Sequence, residues 1–247
     1  DSVLVTGYDL GTTHWGGYSR FVRVPAEWTV ATPEGIDAKT AMTYGTAGFT
    51  AAQCVLALQQ HGVQASAGPI VVTGASGGVG SLSIAILSKL GYEVVAASGK
   101  PHLESSLLKL GAVQVIGRDE VHDSSDRPLL SSRWAGAIDT VGGNTLSTLL
   151  RSTKHRGCIA ACGLAGGSDL PMTVHPFILR GVTLAGIDSA KCPRDNRLQI
   201  WQRLADSWKV EGLDAVTRVV TLADVAREAQ AMLAGETFGR TLVQLTD

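Results

Sequence analysis

The sequence predicts an α/β fold: a doubly wound, six-stranded parallel sheet with helices on both faces, plus a smaller β unit built from both chain ends. Three observations carry this. From residue 70, short apolar runs alternate with helix-patterned stretches, as strands buried on both faces by crossover helices do. A glycine-rich segment, Gly74-Ala75-Ser76-Gly77-Gly78-Val79-Gly80, falls between the first such run and the first such helix. Both ends of the chain lose this alternation and return to β-like patterning.

Residues 1–33 read as β-structure. Asp1-Ser2-Val3-Leu4-Val5 has the composition of a strand interior, and residues 18–24 partly alternate until Pro25 stops them. Residues 37–60 predict a helix with Ala41, Ala47, Ala51, Val55 and Leu58 on its apolar face, broken into two pieces near Gly45 and Gly48. Six apolar runs follow, at 70–73, 94–97, 113–116, 136–139, 158–162 and 183–187, with helices predicted at 79–90, 102–110, 144–152 and around 174–180. Six is the strand number of a dinucleotide-binding Rossmann unit. After Pro193 comes a helix carrying Leu198, Trp201, Leu204 and Trp208, and residues 216–222 and 239–245 then alternate as strands. The expected division is a dinucleotide-binding domain over 41–210 and a β domain made from 1–40 and 211–247.

Composition narrows the function. The chain has 247 residues, 45% hydrophobic and 17% charged, with a net charge of −1. That is a globular balance, without the basic excess a nucleic-acid binder uses against a phosphate backbone. No apolar run is long enough to span a membrane, and the first residues lack the pattern of a signal peptide. Four cysteines without CxxC spacing read as reduced thiols of a cytoplasmic protein.

The glycine segment carries the chemistry. A helix that starts there offers unpaired N–H groups and the positive end of its dipole to a pyrophosphate. Gly77 and Gly78 let the backbone approach a ligand, and Gly80 lets the helix lie close on the sheet. Ser76 also completes a G-x-S-x-G pattern, but no convincing Asp-then-His order follows it, so a hydrolase is disfavoured. An NAD site ends its second strand with an acid for the ribose 2′-hydroxyl. Here that strand ends in Ser98-Gly99-Lys100, and Arg118 follows the third strand. A hydroxyl, an open N–H and two cations suit a 2′-phosphate, which favours NADP(H). Arg151, Lys154 and Arg156 form a basic cluster that suits either a solvated helix end or a coenzyme A phosphate.

The chain resembles the zinc-independent, quinone-oxidoreductase-like branch of the medium-chain dehydrogenase/reductase family. The marks are Gly45-Thr46-Ala47-Gly48-Phe49-Thr50-Ala51, the glycine loop, Asp139-Thr140-Val141-Gly142 and Gly239-Arg240-Thr241-Leu242-Val243. Within the family it is most similar to the acrylyl-CoA reductases, in residues 134–142, 160–167 and 176–180 and in Gly186-Ile187-Asp188-Ser189. The resemblance implies that the β unit is a partial GroES-like catalytic domain whose N-terminal portion is absent from this chain. It implies NADP contacts at Ser76, Gly77, Gly78, Val79, Ser98, Gly99, Lys100, Arg118, Leu164, Ile178 and Ser189. Leu164 and Ile178 would line the nicotinamide end. No catalytic acid is assigned. Thr46 stands where zinc-dependent relatives carry a ligand, so no metal is expected. The implied activity is NADPH-dependent reduction of the C=C bond of an enoyl thioester, acrylyl-CoA first. Quinone or enone reduction is the alternative, and a non-catalytic NADPH sensor is a third reading. The sixth strand would be a sheet edge, through which a homodimer is expected.

Overall fold

The computed structural model describes residues 1–245. The chain opens with β1 (Val3–Leu4), paired antiparallel to β2 (Val30–Ala31). The strand expected at 18–24 does not form, and Tyr18 and Phe21 are 65% and 87% exposed. Alternation alone does not make a strand; its N–H and C=O groups need a ladder, and no described segment supplies one there. Next comes α1 (Ala38–Gln60), capped by the Asp37 carboxylate, which accepts from the Thr40 N–H at 2.7 Å. Its expected break falls at Gly45, with φ 48° and ψ −150°.

The alternating unit follows: β3 (Ile70–Val72), α2 (Gly78–Lys89), β4 (Val94–Ala97), α3 (Glu104–Lys109), β5 (Gln114–Ile116), β6 (Trp134–Asp139), α4 (Gly143–Ser152), β7 (Thr153–Ala161), α5 (His175–Arg180) and β8 (Thr183–Gly186). These six strands form one sheet in the order β5-β4-β3-β6-β7-β8, every neighbouring pair parallel. Strand β7 starts at Thr153 rather than 158. Its polar first residues hid it, and the register with β6 shifts between Trp134 and Gly136. Arg156 takes φ 59° within this stretch.

Strand alternation splits the core in two. Ile70, Val72, Val94, Ala96, Ile138, Cys158 and Ala160 face α1, α2 and the helix α6 (Arg194–Ala205). Val71, Val95, Ala97, Ala137 and Ile159 face Leu146, Leu149 and Leu150 of α4. Each fully buried Val, Leu or Ile contributes about 1.5–3 kcal/mol, so both faces must be covered. The chain closes with β9 (Thr217–Thr221), α7 (Val225–Leu233) and β10 (Arg240–Gln244); β9 and β10 pair in parallel, separately from the β1–β2 ladder.

One arginine ties the chain's start to the large sheet. Arg197 on α6 is fully buried and donates to the carbonyls of Thr6 (2.7 Å), Ala190 (3.1 Å) and Ser189 (3.2 Å). Its guanidinium also lies 4.4 Å from the Tyr8 ring centre and 4.9 Å from that of Phe49. Among the described residues all four cysteines are free thiols, and no helix is long and apolar enough to cross a membrane.

Candidate cofactor site

The strand order reverses between β3 and β6, and open α/β sheets bind ligands beyond the carboxyl ends of the strands at such a point. Thr73 and Asp139 build it. The Thr73 hydroxyl donates to the buried Asp139 carboxylate at 2.6 Å, and the Gly142 N–H donates to its other oxygen at 2.8 Å. Burial raises the Asp139 carboxyl above the ordinary range, and these hydrogen bonds oppose the rise. Thr140 bonds Thr73 through both its N–H and its hydroxyl, fixing the turn after β6 against the turn after β3.

The glycine loop crosses this point. Gly74 has φ +58°, and a Cβ there would stand 2.1 Å from the Thr140 hydroxyl oxygen. A Cβ on Gly80 would meet the Gly74 carbonyl oxygen at 2.4 Å, so α2 sits as close to the turn as backbone allows. No side chain caps the start of α2, where Gly77 is the N-cap. Its first N–H groups have no partner within the helix and lie at the positive end of its dipole.

Arg240 closes that space from the other end of the chain. Its Nε donates to the Thr43 carbonyl at 2.9 Å, and its two terminal nitrogens stand 3.0 Å and 2.9 Å from where Cβ atoms of Gly78 and Gly45 would be. Burial pulls its pKa down, with the Tyr18 phenol opposing, and no carboxylate among the described residues pairs with it. Gly239, just before it, donates its N–H to the Ser76 carbonyl at 3.0 Å. The terminal Gly-Arg was noted in the sequence as a family mark. Its place at the helix start is not legible from sequence, because the contact joins residues some 160 positions apart.

The second strand's end is equally cationic. Ser98 is buried, and its hydroxyl accepts the Lys100 N–H at 3.1 Å. The Arg118 guanidinium lies across Gly99, whose Cβ would stand 2.2 Å from Nε. The Lys100 ammonium donates to the Thr237 carbonyl at 2.5 Å. Neither cation pairs with a carboxylate among the described residues.

Leu164 follows β7 and packs beside the β6 turn, its Cα 3.2 Å from a Cβ placed on Gly142. Ser189 follows β8, half-buried, with its carbonyl held by Arg197. Ile178 stands apart. It is 74% exposed on α5, two residues from Arg180, whose guanidinium bonds the carbonyls of Leu130, Arg151 and Thr153 near the amino ends of β6 and β7. The basic cluster also sits at those amino ends, away from the glycine loop. Arg151 is buried, bonding Asp123 and the carbonyls of Ser125 and Arg127, and Lys154 bonds the Ala67 carbonyl at 3.2 Å. Arg151 is therefore committed to folding a loop rather than free for a coenzyme A phosphate. Ser76 makes no hydrogen bond with a histidine among the described residues, which leaves the hydrolase reading without a base.

Beside Arg240 opens a cleft of about 2040 Å³ lined by Gly45, Thr46, Thr6 and His14 among others. His14 is occupied at Nδ1 by the Trp15 carbonyl and packs edge-on against Trp28. No group of three or more His, Cys, Asp or Glu side chains suited to a metal occurs among the described residues.

Residues 78–209 match the family model described as zinc-binding dehydrogenase. The acrylyl-CoA reductase AcuI of Ruegeria pomeroyi is 48% identical over 245 residues, 99% of this chain and 74% of that protein. The chain belongs to the medium-chain dehydrogenase/reductase family. Among solved members of the family, Escherichia coli K-12 YhdH with bound NADPH superposes with a TM-score of 0.94 at 49% identity, covering 98% of this chain and 74% of that one. Bacillus subtilis YhfP with bound NAD gives a TM-score of 0.96 at 42% identity, covering 98% and 74%. The chain thus spans about three quarters of the length of these relatives.

Proposed function

We propose that this protein is an NADPH-dependent reductase of the C=C bond of α,β-unsaturated thioesters, with acrylyl-CoA as substrate and propionyl-CoA as product. One observation carries the cofactor half: at the end of the second strand the Arg118 guanidinium lies over Gly99, the adjacent Lys100 ammonium donates to the Thr237 carbonyl, and neither cation pairs with a carboxylate among the described residues. The 2′-phosphate of NADPH neutralises that corner, whereas NADH leaves it unmatched. The substrate half rests on the high identity with an acrylyl-CoA reductase over nearly the whole chain.

In this reading the backbone of Ser76, Gly77, Gly78 and Val79 holds the pyrophosphate at the start of α2, with Arg240 supplying charge from above. Ser98, Gly99, Lys100 and Arg118 hold the 2′-phosphate. Leu164 and Ser189 flank the nicotinamide end, whereas Ile178, exposed near the amino ends of the strands, has no part in this reading. NADPH, when bound, supplies a hydride from C4 of its nicotinamide. The substrate β-carbon would take that hydride, with the C=C pair shifting to the bond between the α-carbon and the carbonyl carbon and the carbonyl pair to the thioester oxygen, and the α-carbon would then take a proton. The chain's share is orientation, since holding donor and acceptor carbons together removes much of the entropic barrier. The cleft beside Arg240 and Thr46 gives the acyl group its approach.

The β pairs at the chain ends, 1–40 with 211–247, would form the catalytic side, and 41–210 the cofactor side. Thr46, a poor zinc ligand, suits a metal-free reaction. Strand β8 ends the sheet, and pairing there with a second copy would give a homodimer. Four free thiols suit the cytoplasm.

Steady-state NADPH oxidation with acrylyl-CoA, with a quinone and with no acceptor tests the reading. Turnover with acrylyl-CoA well above both others supports it. Preference for the quinone would move the protein to quinone reduction, and binding without turnover would make it a sensor.

A further inference from the structure

We propose that Thr237 is a positioning residue: its backbone carbonyl holds the Lys100 ammonium at the 2′-phosphate corner. The selectivity of the dinucleotide site would then depend on a segment that follows α7, outside the six-stranded unit. The proposal rests on the reading of Lys100 as a 2′-phosphate ligand and adds what orients it.

The geometry is specific. Lysine is a point charge on a long flexible stem, so its worth as a ligand depends on what holds it. Lys100 donates to the Thr237 carbonyl at 2.5 Å, and its own N–H is bonded to Ser98 Oγ. The ammonium has three N–H groups, so one bond to Thr237 leaves two for phosphate oxygens. The carbonyl is itself held on both sides. Glu236 N–H donates to the Ala231 carbonyl at 2.9 Å, closing the end of α7, and Gly239 N–H donates to the Ser76 carbonyl in the glycine loop. Between them Phe238 packs against the larger core cluster. Residues 236–239 therefore link the phosphate loop and the 2′-phosphate corner through the backbone. By contrast, Arg118 is exposed and has no such anchor among the described hydrogen bonds. A pre-placed ammonium loses less freedom on binding, which raises affinity for the ligand that uses it and for no other.

The test is a double-mutant cycle read as equilibrium Kd for NADPH and NADH in wild type, Lys100→Met, Phe238→Ala and the double variant. Lys100→Met alone should weaken NADPH by about tenfold or more and leave NADH within about twofold. Phe238→Ala, which frees the Thr237 carbonyl, should weaken NADPH by about fivefold, again sparing NADH, and should have no further effect on top of Lys100→Met. Additive losses, or equal losses of both cofactors from Phe238→Ala, would show a general effect on the fold and overturn the positioning role. So would unchanged NADPH binding. If Lys100→Met itself fails to discriminate, the cofactor reading falls and the proposal with it; if Lys100→Met discriminates and Phe238→Ala is silent, only the positioning falls. Should Phe238→Ala lose its cooperative melt, Gly235→Val replaces it. Gly235 has φ +73° and open space around its Cβ, so that change strains the backbone two residues before the Thr237 carbonyl without a side-chain clash, and the same outcomes decide.

Discussion

Replacing Gly78 with valine separates a ligand-binding glycine from a merely structural one. A Cβ at Gly78 would stand 3.0 Å from Arg240 Nη1 and 3.2 Å from the Ala47 Cβ. Both neighbours must give by a few tenths of an ångström, and Gly78 is not among the residues with positive φ, so no backbone strain is added. The cost to the fold is that of an ordinary substitution, about 1 kcal/mol, or roughly 2–4 °C in Tm for a chain of this size. The cost to binding is larger. The valine methyls fill the space where the pyrophosphate meets the helix N–H groups and push aside the guanidinium that would face it. At NADPH one hundred times Kd, wild type gains about 2.7 kcal/mol, a rise of roughly 5–10 °C. Thermal melts with and without NADPH should show that rise in wild type. The variant should melt cooperatively, a few degrees lower, and not respond to NADPH. A full NADPH shift in the variant would refute the placement of the phosphate at the start of α2.

Changing Lys100 and Arg118 together to alanine should cost NADPH roughly tenfold to a hundredfold per lost charged hydrogen bond while sparing NADH, read by fluorescence titration. Arg151→Ala should destabilise the protein, because it leaves the carbonyls of Ser125 and Arg127 without their buried donor, yet leave KM for acyl-CoA unchanged. A rise in that KM would restore the basic cluster as a coenzyme A site. Burial raises the Cys158 thiol to about 11. Its native pKa lies above its unfolded one, so the associated stability is complete below the unfolded value and is lost as pH climbs toward 11. Denaturant melts across pH 8 to 11 should show stability falling, and Cys158→Ala should flatten that fall.

The sheet was legible because its strands are short apolar runs buried on both faces, and 94–97 coincides with β4 to the residue. Two errors have opposite causes. Residues 18–24 look like a strand but lack a ladder partner, which no local pattern reveals. Residues 153–157 look polar, yet Thr153 already pairs with Trp134 of β6 before an irregularity in the register leads to Cys158, because tertiary neighbours set that pairing. At the candidate site, residues 76–79 and 98–100 announce themselves locally as a loop and a strand end. The contacts of Thr237 and Arg240 beside them do not, because they exist only once the chain's last residues fold back onto the glycine loop and the end of β4. Arg151 misled for a related reason: charge on a helix end reads as solvated or ligand-binding until its buried partners are known.

The central claim is hydride transfer to the β-carbon of an enoyl thioester, and isotope transfer tests it most directly. The protein would be given NADPH deuterated at C4 and acrylyl-CoA in ordinary water, and the acyl product read by mass spectrometry and NMR. The account predicts propionyl-CoA carrying deuterium at the β-carbon and solvent hydrogen at the α-carbon. Propionyl-CoA without deuterium at the β-carbon, or no propionyl-CoA from a protein that binds NADPH, would contradict it.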